Sequence, residues 1–322
     1  MEWKKTIKKY PEANFLQSPS YEKMNELLGD KVLKIETKDA FTLATVRNAK
    51  RGRYLEIPCG PLADFNNQKA VKEIFEKIRE AAKKEKCVFV RVRPQLLASE
   101  KNLTILKDLG LKKSPMHLAA EHTVMIDLTK SEDELLSAMR RQTRYEVRRV
   151  DKLGIKVSRD NSEKIFKEFH KVQTETAKRQ GFVPPSLKVL LAEREAFGDN
   201  IWIYKAELDK KAIAYGLIIA DGLEGDYYEA ASTELNRKLP GAYAIIWRTM
   251  RDLKAHGYER FNLWGIAPSG QPHHRYAGVT TFKTGFGGEI VEYVPAHDIV
   301  ISRVGYLKNL VVEKARKKRR HL

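Results

Sequence analysis

Apolar positions along the chain recur in two alternating rhythms. Segments 31–36, 41–47 and 53–57 read as strands, and Gln68 to Lys84 then sets Val71, Ile74, Phe75 and Ile78 at helical spacing among charges. That spacing predicts an amphipathic helix. The run CVFVRVRP that follows reads as a buried strand stopped by Pro94, because proline has no donor for a ladder. Glu100 to Leu109 reads as a helix closed by Gly110, and TVMIDLT as a strand. Ser131 and Glu134 have capping-box spacing and open the next helix.

The pattern then restarts. Residues 162–179 place Ile165, Phe166, Phe169 and Val172 on one helical face; Pro184 and Pro185 break it, and a helix runs from about Ser186 to Ala196. IWIYKAEL, AIAYGLIIA and DYYEAAS read as strands, AYAIIWRTMRDLKAHG as a helix and ERFNLWG as a further strand. Two α/β units of similar element order point to a long internal duplication, with no low-complexity linker between them.

Composition narrows the partners. A chain of 322 residues accommodates two domains at about 150 residues each. Lys and Arg number 60 against 42 Asp and Glu, a net charge of +18, which predicts nucleic acid, an anionic membrane surface or a phosphorylated substrate as partner. Cys59 and Cys87 are the only cysteines, so a disulfide framework and a cysteine-based zinc site are excluded. MEWKKTIKKY is unlike a signal peptide and no apolar run reaches the roughly 18 residues of a membrane span, so a soluble cytoplasmic protein is expected.

Three stretches could carry chemistry. MRRQTRYEVRRVDKLGIKV, residues 139–157, crowds Arg141, Arg144, Tyr145, Arg148 and Arg149 onto a narrow helical arc. Like charges at this spacing repel, so either a phosphate-bearing ligand offsets them or the arc is a solvated basic face. HHRYAGVTTFKTGFGG, residues 273–288, places Lys283 between Phe282 and Thr284 ahead of Gly285, Gly287 and Gly288. Lys283 is then an ordinary surface lysine or a cation fixed at the mouth of a cleft, with the glycines leaving room for a ligand. Adjacent His273 and His274 lack an acidic partner nearby, and no metal is expected. LNRKLPGAYAIIWRTM resembles loosely the glycine turn on which acetyltransferases seat a pyrophosphate. GxSxG, HExxH and CxxC do not occur, leaving catalysis by positioning and electrostatics.

MRRQTRYEVRRVDKLGIKV, IIWRTMRDLKAHGYERFNLWGI, GVTTFKTGFGG and the opening NFLQSPSYEKM together resemble the Fem family of non-ribosomal peptidyltransferases over nearly the whole chain. The resemblance implies an α/β fold of two acetyltransferase-like (GNAT) domains. Residues 1–121 with 296–322 would form the first and 122–295 the second, without the long helical arm of some members. It implies transfer of an amino acid from aminoacyl-tRNA to the stem peptide of a UDP- or lipid-linked peptidoglycan precursor, a step of cell-wall biogenesis, with no cofactor.

Residue by residue, Lys23 falls on the family lysine that contacts precursor phosphates, and Phe282 and Lys283 match the catalytic Phe-Lys pair. Tyr227, Tyr228 and Glu229 stand near a cleft-lining aromatic. Arg93 replaces a family aspartate, and Pro185 and Val189 replace a precursor-binding arginine and tyrosine. With that aspartate gone, the resemblance nominates no enzyme base; Glu229, Asp226 or a group of the substrate itself could take a proton from the attacking amine. Arg144 and Arg148 are expected on phosphates of tRNA or precursor. An acetyl-CoA-dependent N-acetyltransferase and a non-catalytic tRNA- or RNA-binding protein are the alternatives. The tail YLKNLVVEKARKKRRHL, with Leu307, Leu310 and Val311 on one side and Lys314 to Arg320 at its end, suggests peripheral contact with an anionic membrane. It could equally be a helix packed on the first domain. A monomer is expected.

Overall fold

The computed structural model describes residues 3–49, 52–271 and 273–320, with side chains up to Ala315. The chain runs α1 (Trp3–Lys9), α2 (Pro19–Leu27), β1 (Lys31–Glu36), β2 (Ala40–Ala49), β3 (Gly52–Pro58), β4 (Leu62–Ala63), α3 (Gln68–Lys84), β5 (Cys87–Arg93), α4 (Glu100–Asp108) and β6 (Lys112–Lys113). It continues through β7 (His122–Asp127), α5 (Glu132–Ala138), α6 (Arg141–Lys152), β8 (Lys156–Asp160), α7 (Glu163–Gln180), α8 (Leu187–Phe197), β9 (Ile201–Leu208), β10 (Lys211–Asp221) and β11 (Glu224–Ser232). α9 (Gly241–Ala255), β12 (Arg260–Asn262), α10 (Ala277–Thr284), β13 (Glu289–Glu292), β14 (His297–Val300) and α11 (Arg303–Arg320) complete it.

Two compact units result, Met1–Glu121 with Glu292–Leu322, and His122–Val291. The first is built on a sheet of order β1-β2-β3-β5-β14-β6, with β4 on β2. α3 turns Val71, Ile74, Phe75 and Ile78 onto this sheet, against Leu55, Ile57, Val90 and Val92. Each such side chain contributes about 1.5–3 kcal/mol when fully buried. Asn67 caps α3, accepting from Ala70 N–H. Arg91 ties the returning segment to β5: its guanidinium meets Asp298 of β14 at 2.8 Å and Glu313 of α11 at 2.8 Å.

The second unit has the order β13-β7-β12-β11-β10-β9-β8. Its core joins Ile245, Ile246, Met250 and Leu253 of α9 to Tyr204, Ala206, Ile218 and Phe261 of the sheet. The capping box at Ser131 and Glu134 is formed.

The duplication suggested by element order is visible in the pairings. In the first unit β1–β2 and β2–β3 are antiparallel, β3–β5 is parallel across α3, and β5–β14 is antiparallel. In the second, β9–β10 and β10–β11 are antiparallel, β11–β12 is parallel across α9, and β12–β7 is antiparallel. No helix among the described residues is long and apolar enough to cross a membrane.

Candidate active site

β12 pairs in parallel with Glu224–Asp226, the first residues of β11, whereas β11 stays paired with β10 as far as Ser232. The two strands therefore part company after Asp226. On its other side β11 carries a bulge: Ile218 pairs with Tyr227 and Leu217 with Glu229, which leaves Tyr228 as the extra residue. A bulge re-aims the side chains around it, and the consecutive residues Tyr227, Tyr228 and Glu229 all line one pocket of about 440 Å³. Tyr243 of α9 and Val279, Phe282 and Lys283 of α10 face the same space. A larger hollow of about 760 Å³ in the first unit holds none of the predicted site residues.

Lys283 belongs to the last turn of α10, ahead of the glycines. Val279, Phe282 and Phe286 have the helical spacing i, i+3, i+7 that identifies this element, although the neighbouring glycines mask it. Nor is Lys283 a surface lysine or a cation at an open mouth, being only 8% exposed. Its Nζ donates to the Gly265 carbonyl at 2.9 Å, and Ala267 N–H donates to Thr280 Oγ1 at 2.8 Å, so loop 263–267 and α10 hold each other. Burial brings the Lys283 pKa down to about 7, because a desolvated ammonium has lost its water without gaining a carboxylate. Phe282 packs edge-on to Tyr243 at 5.0 Å and to Phe286 at 5.2 Å, which fixes the turn carrying the lysine.

Glu229 faces the pocket from the opposite strand. Gln173 Nε2 donates to its Oε2 at 2.5 Å, and burial pushes its pKa up to about 7. Glu193 of α8 is 4% exposed and its Oε2 has no hydrogen-bond partner among the described residues. Burial first, and then the charge of Glu229, raise the Glu193 carboxyl well above its usual range. Sequence reasoning missed Glu193, Gln173 and Tyr243. Glu193 did leave a signal, since Leu190, Glu193 and Phe197 share helical spacing and put a carboxyl in the apolar stripe of α8.

Several expectations are corrected. A Cβ on Gly285 would fall 2.3 Å from Thr143 Oγ1, and one on Gly287 2.9 Å from the Ala138 carbonyl. These glycines admit the close approach of neighbouring chain and leave no room for a ligand. Arg144 does not face solvent phosphates: its guanidinium donates to the carbonyls of Leu136, Ser137 and Met139 at 3.1–3.3 Å, closing the end of α5. Arg140 donates to Thr281 O at 2.5 Å and so pins α10, and Arg149 pairs with Glu146 at 3.1 Å. Exposed along α6 are Arg141, Gln142, Tyr145, Arg148, Asp151 and Lys152, three cations against one carboxylate. Asp226 is buried in the sheet at 1% exposure, away from the pocket lining. Gly241 is close-packed, with a Cβ there lying 2.4 Å from Ile213, and Asn236 already occupies Ala242 N–H at 3.0 Å. That is poor provision for a pyrophosphate. In the first unit, Lys23 is exposed on α2. Arg93 is buried there, donating to Cys59 Sγ at 2.6 Å and stacking on Tyr293.

With this geometry in hand, the likenesses to known proteins are consistent. The sequence model of the FemAB family matches residues 1–213 and 203–314. The aminoacyltransferase FemA of Staphylococcus epidermidis is 24% identical over an alignment of 355 residues that takes in 84% of this chain and 85% of the relative. That alignment is longer than this chain, so the relative carries insertions absent here. Among solved structures, FemX superposes with a TM-score of 0.85 at 16% identity, covering 96% of this chain and 97% of its own. A tandem GNAT protein from the clavulanic acid biosynthesis pathway superposes with a TM-score of 0.53 at 8% identity, covering 82% and 79%. The two acetyltransferase-like folds expected from the sequence are thus present, and the described residues form no long helical arm.

Proposed function

The chain belongs to the FemAB family, and from that premise we propose that it transfers an amino acid from aminoacyl-tRNA to the stem peptide of a peptidoglycan precursor. It is an aminoacyltransferase, as its FemA relatives are named. The observation that carries the finer reading is the placement of Lys283, Phe282 and Glu229 around one pocket of the second unit.

Aminolysis of the tRNA ester needs three things. The acceptor amine must lose a proton, the carbonyl oxygen must bear negative charge as the nitrogen bonds to carbon, and the ribose oxygen must leave with the electrons of the broken C–O bond. A lysine-type acceptor of pKa about 10.4 costs about 4–5 kcal/mol to deprotonate at neutral pH. Glu229, with its pKa near 7, is suited to take that proton. Lys283, also near 7, is suited to donate a hydrogen bond to the developing oxyanion and a proton to the departing oxygen. Phe282 and Tyr228 offer apolar rings to the ribose or terminal base. The ester supplies the driving force, so the reading calls for no cofactor. Arg141, Tyr145, Arg148 and Lys152 would follow tRNA phosphates from α6, and Lys23 would meet precursor phosphate from the first unit.

Incubation with charged tRNAs and with both UDP- and lipid-linked precursors tests this. The expected product is a precursor heavier by one amino-acid residue, formed only while the tRNA is intact and lost on RNase treatment. Acetyl transfer from acetyl-CoA without aminoacyl transfer would overturn it.

A further inference from the structure

α11 packs by one side only. Tyr306 and Asn309 are buried, the Tyr306 hydroxyl donates to Asp298 at 3.1 Å, and Glu313 meets Arg91 at 2.8 Å. Glu313 is the sole acidic residue of the helix, so no negative charge of α11 is left to face outward. Val304, Leu307 and Val311 do face outward, at 67%, 58% and 67% exposure. Leu310, expected beside them, is half-buried, and the side chains from Arg316 onward lie outside the described residues. At about 100° per residue the three exposed apolar positions share an arc of roughly 60°. Arg303 and Lys314 flank it on one side and Lys308 on the other, all exposed. The exposed Lys112 and Lys113 of β6 border the adjoining hollow together with Leu307 and Lys314.

An apolar stripe between two cationic flanks has two unmet requirements, cover from water and anions at both edges. We propose that this face of α11 docks on an anionic phospholipid surface. Val304, Leu307 and Val311 enter the headgroup boundary, and Arg303, Lys308 and Lys314 reach lipid phosphates with their stems laid along apolar surface. A second copy of the chain would cover the stripe but press like charges together at both flanks. RNA would satisfy the cations but not the stripe, which holds no aromatic ring on which a base could stack. The proposal stands apart from the transfer reaction, since none of the α11 and β6 residues it uses lines the pocket of Lys283 and Glu229.

Sedimentation of the full chain with phosphatidylglycerol vesicles, against phosphatidylcholine vesicles as comparison, tests it. Binding should favour phosphatidylglycerol and weaken as salt is raised. Leu307→Glu with Val311→Glu should lower that binding at least about tenfold while tRNA binding is unchanged, with the melting temperature checking that the variant is folded. Lys308→Glu with Lys314→Glu should abolish the preference for phosphatidylglycerol without touching the apolar stripe. Equal sedimentation of wild type and the Leu307/Val311 variant would overturn the proposal. So would failure of the wild type to sediment at low salt, or a dimer that the same variant dissociates.

Discussion

Lys283 Nζ sits 2.9 Å from the carbonyl oxygen of Gly265, inside a wall that leaves the residue 8% exposed. A neutral carbonyl does not offset the desolvation of an ammonium, which is why the pKa falls to about 7 from the ordinary lysine value of 10.5. A lysine held in this way costs stability, and retaining it makes physical sense where chemistry requires a cation in a water-poor pocket.

That cost has a definite pH dependence. Between about 7 and 10.5 the unfolded chain keeps this proton and the folded chain releases it, so the unfolded state binds more protons. Stability therefore rises with pH across that window, and the penalty is fully present below about pH 7. Lys283→Met should raise the melting temperature at about pH 6, by a gain on the order of a few kcal/mol, and the gain should shrink by about pH 10. Thermal melts over this range check it; a variant less stable than wild type at pH 6 would count against a buried, desolvated amine.

Glu229 and Lys283 should give transfer a bell-shaped pH profile. Glu229 must have lost its proton and Lys283 must hold one, and burial brings both near 7. Glu229→Gln should remove the acid limb and lower the maximal rate by about 10²–10⁴. Rates at saturating substrates across pH test this, and an acid limb surviving in the variant would assign the proton to another group.

Arg144 and Arg148, adjacent in the basic arc, should separate by phenotype. Arg144 closes α5 through three carbonyls, so Arg144→Ala should cost about 1 kcal/mol or more in stability and leave the salt dependence of tRNA binding intact. Arg148 is exposed, and Arg148→Ala should reduce the salt slope of binding by about one with the melting temperature unchanged. The reverse pattern would contradict the structural division between them.

Nine of the strands and the helices α3, α7 and α9 were legible because each has a clean period, whereas the short strands β4, β6, β8, β13 and β14 were not expected. α3 runs from Gln68 to Lys84 as its apolar spacing dictates, and the Ser131 capping box announced α5. α10 was not legible as a helix: the stretch 273–288 was assigned no element, because the glycines that follow mask the helical spacing of Val279, Phe282 and Phe286. The glycines themselves misled: Gly285 and Gly287 answer to Thr143 and Ala138, positions remote in sequence. Arg144 misled for a related reason, since a composition of like charges cannot reveal that one guanidinium is engaged by carbonyls at the end of the preceding helix. Lys283 was identified through family resemblance, but its burial came only with the fold. Glu193 lay in the helical spacing of α8 and passed unnoticed, its meaning resting on Glu229 in a strand far along the chain.

Gly285→Ala should strain the contact that seats α10. The added carbon would lie 2.3 Å from the buried Thr143 hydroxyl and 2.7 Å from Arg140 Nη2, and overpacking of this kind costs about 1–3 kcal/mol. A lowered melting temperature together with slower transfer is expected. An unperturbed melt would show that α6 and α10 do not approach so closely.

The most direct measurement is the transfer rate of Lys283→Met at saturating aminoacyl-tRNA. Loss of one donor to a developing oxyanion costs about 10²–10³ in kcat, so transfer should fall at least about tenfold. The variant should remain folded and bind the precursor as the wild type does. Transfer at the wild-type rate by a folded Lys283→Met variant would contradict the placement of the catalytic centre in this pocket.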